Sequence, residues 1–193
     1  MIAYKFLKAG AVGLVSGFQW PKPRGEAPGG WVQARGPVRE CESGIHVCRP
    51  GDLPYWMFDE LWAIEVEGEM VPGLDMLIAP RGRLLGMLPG WSAPGRVRLI
   101  EACRDRMAEH IARVPSERRA HADAFMGHMD GYLRNGWTQL AALCSAMAIA
   151  STVDAPPGSA EEKAATRGVY RAERAWQAEW MVRELGLALP LTA

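Results

Sequence analysis

The chain has 193 residues, 49% of them apolar, and its 22 basic and 22 acidic side chains leave no formal net charge. Such a composition suits a globular protein with a sizeable core, and the balanced charge argues against nucleic-acid binding, which needs a basic surface to displace counterions. Four cysteines in a chain of this length do not make a disulfide scaffold, and no apolar run reaches the length of a membrane span.

In chain order, residues 1–95 are rich in Gly, Pro and Trp, with short apolar runs between turn signals. That pattern predicts strands at 3–7, 31–34, 38–41, 45–48, 61–66 and 76–78. The apolar run Ala11-Val12-Gly13-Leu14-Val15 follows Lys5 and Lys8. It is short, broken by glycine and lacks a small-residue cleavage site, so it is a poor secretory leader and a cytoplasmic protein is expected. Residues 21–30 have turn chemistry throughout and predict an exposed, mobile loop. Asp52, just ahead of Leu53-Pro54, is expected to N-cap a short helix.

After Gly95 the periodicity changes. Ile100, Cys103, Met107, Ile111 and Val114 recur at three- and four-residue steps, on one face of a helix. A second helix is expected from Ser116 through Ala122, Met129 and Leu133, stopped by Asn135-Gly136. A third, almost wholly apolar, spans 138–151 and should be central, because it has no polar face. After a Pro/Gly linker, Ser159 and Glu162 form a capping-box pattern. The last helix should bury Val169, Ala172, Trp176 and Trp180 and stop at Gly186. Strands first and helices second give an α+β fold. A short-stranded antiparallel or mixed sheet in the N-terminal half precedes about four helices. Residues 1–95 form a strand-rich domain carrying the candidate site, and 96–193 form a helical region.

The segment from Cys41 to Trp56 concentrates the reactive groups. It holds Cys41, His46, Cys48, Arg49, Tyr55 and Trp56, and His46 is the first histidine of the chain. Cys41, His46 and Cys48 have a Cys-x4-His-x-Cys spacing with no evident fourth ligand. A hairpin with partly buried thiols is therefore favoured over a zinc site. Cys48 is a candidate nucleophile, since His46 and Arg49 would favour its thiolate. The alternative is a core-facing thiol.

Glu65, Glu67 and Glu69 alternate with Ile64, Val66 and Gly68, so a strand places all three carboxylates on one face. Mutual repulsion would raise one pKa for acid–base work. A solvated acidic face is the plainer reading. His121 and His128 share one side of their helix without a third ligand. Trp20, Trp31, Trp56, Trp62 and Trp91, flanked by Pro/Gly loops, would suit an amphipathic cleft in a non-catalytic module binding a protein or small molecule.

The order Tyr4-Lys5-Phe6, then Gly44-Ile45-His46-Val47-Cys48, a short helix and Trp62-Ala63-Ile64-Glu65-Val66-Glu67-Gly68 resembles an uncharacterised bacterial and phage-associated family. That family carries a Gly-Phe-His-Ala-Cys-like motif before a strand ending in Glu-Gly or Ser-Gly. More distantly, the same order is similar to small ADP-ribosyltransferase-like domains. That likeness implies an NAD cofactor. Glu67 or Glu65 would orient the nicotinamide ribose, Lys5 and Arg49 would contact the cofactor, and Tyr55 or Trp56 would stack on nicotinamide.

Overall fold

A computed structural model describes residues 1–40, 42–116 and 119–187. The fold is α+β, with the strands first and the helices after them. The chain divides into two compact units. One is Met1–Ser92 together with the segment from Met181 onward, and the other is Ala93–Trp180.

The first unit contains β1 (Ile2–Leu7), β2 (Val32–Gln33), β3 (Ile45–Val47), a 3-10 helix (Pro50–Tyr55), β4 (Glu60–Glu67), β5 (Val71–Gly73), β6 (Met76–Ala79) and β7 (Arg81–Met87). Four strands form one sheet in the order β1-β4-β7-β2, and three form another in the order β3-β6-β5. Every pairing is antiparallel. Side chains alternate along β4, so Trp62, Ile64 and Val66 share a face while Ala63, Glu65 and Glu67 share the other. The first set packs with Ala3 and Leu7 of β1, Leu84 of β7, Trp20, and Ile45, Val47 and Ala79 from the smaller sheet. Ile64, Val66 and Leu84 have no exposed surface, and each contributes about 1.5–3 kcal/mol by burial.

Two strands escape the sequence pattern, and one expected strand does not form over its described residues. Strand β7 reads Arg-Gly-Arg-Leu-Leu-Gly-Met, with two glycines and no β-branched residue, which is weak strand composition. It forms because β4 supplies a full-length partner. Gly82 lies so close beneath β4 that a Cβ there would sit 3.2 Å from Ile64 Cδ1. The very short β5 closes a hairpin with β6. Around 38–41, by contrast, only Arg39 pairs among the described residues, exchanging backbone hydrogen bonds with Ser43. Cys41 lies outside the described residues.

The second unit contains α1 (Ala93–Ala112), α2 (Arg119–Arg134), α3 (Thr138–Ala150) and α4, which spans Ala160–Leu185 and ends in the first unit's segment. Pro94 sits in the first turn of α1, where its missing N–H costs nothing. Leu99, Ile100, Cys103, Met107 and Ile111 form the buried stripe of α1. The Arg119 guanidinium closes the end of that helix, donating to the carbonyls of Val114 and Ala112. Helix α3 is buried over nine of its residues, in keeping with its lack of a polar face. Ser159 Oγ caps α4 by accepting from the Glu162 N–H at 2.9 Å, while the Glu162 carboxylate accepts from Gly158 N.

The inner stripe of α4 differs from expectation. Trp180 is buried as expected, but Ala172 is exposed and Val169 and Trp176 are only half-buried, whereas Glu173, Arg174, Gln177 and Ala178 are buried. Gln177 Nε2 donates to Ala142 O at 2.9 Å and to Ser145 Oγ at 3.1 Å, and its Oε1 accepts from Arg174. Polar side chains reach the small residues of α3, so the stripe follows hydrogen-bonding capacity instead of hydropathy. Among the described residues no helix is long and apolar enough to cross a membrane.

Candidate functional site

The Gly-Ile-His-Val-Cys segment is a structural seam in the strand-rich unit. Strand β3 pairs with β6, and Cys48 exchanges two backbone hydrogen bonds with Tyr4, at 3.0 and 2.7 Å. It thereby ties the smaller sheet to β1, the edge of the larger one. Arg49, expected to contact a cofactor, is the N-cap residue of the 3-10 helix. Its guanidinium holds both oxygens of Asp52, with Nε to Oδ2 at 2.8 Å and a terminal nitrogen to Oδ1 at 3.0 Å, and its backbone N–H donates to Oδ2 at 2.9 Å. Asp52 is therefore the third residue of that helix, reaching back to close its start, and not the N-cap.

Because Asp52 is 6% exposed and accepts three hydrogen bonds, Asp52→Ala should cost about 2–3 kcal/mol. Urea unfolding measures this. A loss no larger than that of an exposed control such as Glu69→Ala would contradict a structural role for the pair.

Lys5 and Cys48 share a buried neighbourhood. Lys5 lies opposite Trp62 in the β1–β4 register, on the inner face. Although the residue is only half-buried, its ammonium is enclosed, donating to His46 O at 2.6 Å and sitting 5.2 Å from the Trp20 ring centre. Burial lowers the Lys5 ammonium to about 8, with the Cys48 sulfur opposing. Burial pushes the Cys48 thiol far up, Asp52 adds to this, and Lys5 and Arg49 oppose it. A thiol held protonated is a poor nucleophile. His46 is lowered, first by burial and then by the Lys5 charge, with Glu40 opposing. No hydrogen bond joins its ring to Cys48 among the described residues. No group of three His, Cys, Asp or Glu side chains among them is placed to hold a metal ion.

The acidic alternation on β4 becomes an ion-pair ladder. Glu65 faces Arg83 and Glu67 faces Arg81 across the β4–β7 register, with contacts of 2.7 and 3.1 Å. Both guanidiniums lie over the Trp31 ring, at 4.1 Å for Arg81 and 4.5 Å for Arg83. Two of the three aligned carboxylates thus meet a cation, which removes the repulsion their spacing suggested. Glu65 and Glu67 also project from the face opposite Lys5. The residues that the resemblance would gather around one dinucleotide are split between the two faces of the sheet.

Tyr55 and Trp56 are half-buried, and the Trp56 indole N–H is committed to Asp75 O at 2.7 Å. Trp20, Trp62 and Trp91 lie in the core, each at most 6% exposed. Only Trp31 and Trp56 of the five remain for a surface, so a five-tryptophan cleft does not form. His121 and His128 are exposed.

A cavity of about 410 Å³ opens instead on the loop at 21–30, lined by Pro21, Lys22, Arg24, Ala27, Pro28 and Gly30. Backbone hydrogen bonds tie this loop to itself and to β7. Arg24 and Ala27 exchange backbone hydrogen bonds at 3.0 and 3.1 Å, and Gly29 N donates to Leu84 O at 2.8 Å. Lys22 and Arg24 have no carboxylate within ion-pair distance among the described residues.

Lys22 acts at longer range on Glu60. Burial alone would raise the Glu60 carboxyl, but the Gly10 N–H, the Trp62 indole and the Ala11 N–H outweigh it, and the Lys22 charge adds to the lowering. The reading of residues 21–30 as turn chemistry missed these two cations. The signal was the pattern Pro-Lys-Pro-Arg, in which prolines stiffen a stretch presenting two positive charges. No protein-family model, curated protein or solved structure matches this chain.

Proposed function

We propose that the strand-rich unit is a ligand-binding module for a small phosphate-bearing anion, with NAD the first candidate, and that it binds its ligand without transforming it. One observation carries this reading: Lys22 and Arg24 line a cavity with no carboxylate within ion-pair distance among the described residues. Phosphate oxygens would take both cations at once, as charge-assisted hydrogen bonds to a planar guanidinium and a point-charge ammonium. The groups named for chemistry are otherwise engaged. Glu65 and Glu67 are ion-paired, and Cys48 is buried and protonated.

Titration with NAD, pyrophosphate and inorganic phosphate, followed by tryptophan fluorescence, tests the proposal. Lys22→Ala and Arg24→Ala should each weaken binding about tenfold or more, the loss of one charged hydrogen bond. Glu67→Gln should leave affinity unchanged, and no nicotinamide should be released. Release that disappears in Glu67→Gln would replace this reading with ADP-ribosyl transfer. Absence of binding by all three anions would remove it.

A further inference from the structure

Between β1 and the loop at 21–30, the strand-rich unit folds residues 11–20 back on themselves as a short two-armed loop. Val12 pairs with Lys8 and with Gln19, Trp20 N donates to Ala11 O at 3.0 Å, and Gly13 N donates to Phe18 O at 2.8 Å. Gly17 N donates to Gly13 O and Phe18 N to Ser16 Oγ, each at 3.2 Å, so the turn satisfies much of its own backbone. Gly17 supplies the positive φ, +65°, that the reversal requires. The tip built this way is apolar and bare. Val15 is 98% exposed and Phe18 44%, with Leu14 half-buried. Phe18 stands edge-on to the buried Trp20 ring, 5.7 Å between centres, which anchors the tip to the core.

Cations stand at the foot of this loop. Lys8, Lys22 and Arg24 are exposed and make no ion pair among the described residues. Residues 8–30 hold only one acid, Glu26, against these three cations. The carboxylates that reach the foot from elsewhere are turned inward: Asp59 accepts from Ala9 N, and Glu60 accepts from Gly10 N and Ala11 N. Lys22 follows Phe18 by four residues, at most about 14 Å of extended chain.

From this placement we infer that the loop docks the strand-rich unit on an anionic phospholipid bilayer. Val15, Phe18 and Leu14 enter the headgroup boundary while Lys8, Lys22 and Arg24 meet the lipid phosphates. Apolar side chains gathered at one tip and rimmed by charge mark an interaction surface, and the sign of the rim selects an anionic one. A protein partner fits less well. Stable protein interfaces bury about 800 Å² on each side, far more than a narrow tip offers, whereas fluid lipid closes around a projecting loop. The hydrogen bonds within the turn lower the cost of taking its backbone out of water.

Cosedimentation of the full chain with vesicles tests the inference. Saturable binding is expected to equal parts of phosphatidylserine and phosphatidylcholine, at least about tenfold weaker on phosphatidylcholine alone. Val15→Asp should weaken binding to the mixed vesicles about tenfold or more. Nothing packs on that fully exposed side chain, so the variant should fold as the parent does. Lys8→Ala should weaken vesicle binding about fivefold, and both variants should leave the titration with inorganic phosphate unchanged. The docking surface does not depend on the soluble-anion site: vesicle binding that is lost in Val15→Asp supports it even where NAD, pyrophosphate and phosphate all fail to bind. Absence of binding to the mixed vesicles would overturn the inference. Binding untouched by Val15→Asp would do the same, since cations alone would then hold the chain, as would equal binding to both kinds of vesicle.

Discussion

Gly44→Ala is expected to destabilise the strand-rich unit by about 2–4 kcal/mol, the sum of a strained backbone and an overpacked contact. Gly44 has φ of +126°, a conformation that a residue with a Cβ rarely adopts. A methyl group there would also run into Ile78 Cγ2 and press on Val38 Cγ1. Ile78 does not yield freely, because it is fully buried in β6 and pairs with both β3 and β5. The glycine lets the chain leave the Arg39–Ser43 turn and enter β3 in the register that places Ile45 and Val47 in the core. Urea unfolding should show a lowered midpoint with unchanged slope. Gly51→Ala is the control, since that position has open space around it and no left-handed backbone. It should move stability by no more than about 0.5 kcal/mol. Equal effects at the two glycines would mean that the first residue of the Gly-Ile-His-Val-Cys segment is not held there by geometry.

The parts of this fold that local periodicity dictates were legible in the chain. Helix α1 announced itself through Ile100, Cys103, Met107 and Ile111, and α3 through its unbroken apolar composition. Strand β4 did so through its two-residue alternation. What escaped depends on partners distant in sequence. Strand β7 has poor intrinsic strand character, yet it supplies Arg81 and Arg83 to Glu67 and Glu65, so the ion pairs on the half-exposed acidic face are not legible in β4 alone. Helix α4 shows the same cause in another form. Its apolar residues suggested a stripe through Val169, Ala172 and Trp176, but the neighbouring helix offers the carbonyl of Ala142 and the hydroxyl of Ser145, and Gln177 turns inward to meet them.

The candidate site followed the same logic. Residues chosen for their reactivity, Cys48, Arg49, Glu65 and Glu67, prove to be committed to burial, capping or ion pairs. Side chains that no motif singled out, Lys22 and Arg24, have no carboxylate within ion-pair distance among the described residues. Partners decide which polar group is available, and hydrogen-bond pairing across strands and helices is not written in local spacing.

Lys5 offers the sharpest electrostatic test of the inner face. Its ammonium stays charged in the unfolded chain up to pH 10.5 but falls to about 8 when burial removes its water. Below pH 8 both states carry the proton, and the folded state bears the full cost of an enclosed charge. That cost is about 3 kcal/mol for a shift of this size. Between pH 8 and 10.5 the unfolded state binds more protons than the folded one, so this group's contribution to stability rises with pH and levels off above the window.

Cys48 and Cys103 run the other way. Burial raises both thiols above the ordinary 9.0, so the unfolded chain gives up those protons first and stability falls as pH passes 9. The native sequence should therefore show a shallow maximum near the start of the Lys5 window. A comparison with Lys5→Met isolates the lysine, because the cysteine contributions cancel between the two proteins. Methionine is unbranched and apolar, fitting the Trp20 and Trp62 surroundings at the loss of one hydrogen bond to His46 O, worth about 1 kcal/mol. Its advantage over lysine should be greatest below pH 8 and shrink by about 3 kcal/mol as pH rises through 10.5. Urea unfolding at a series of pH values reads this difference. A constant difference from pH 7 to 10.5 would mean that the Lys5 ammonium remains in water and that the inner face carries no buried charge.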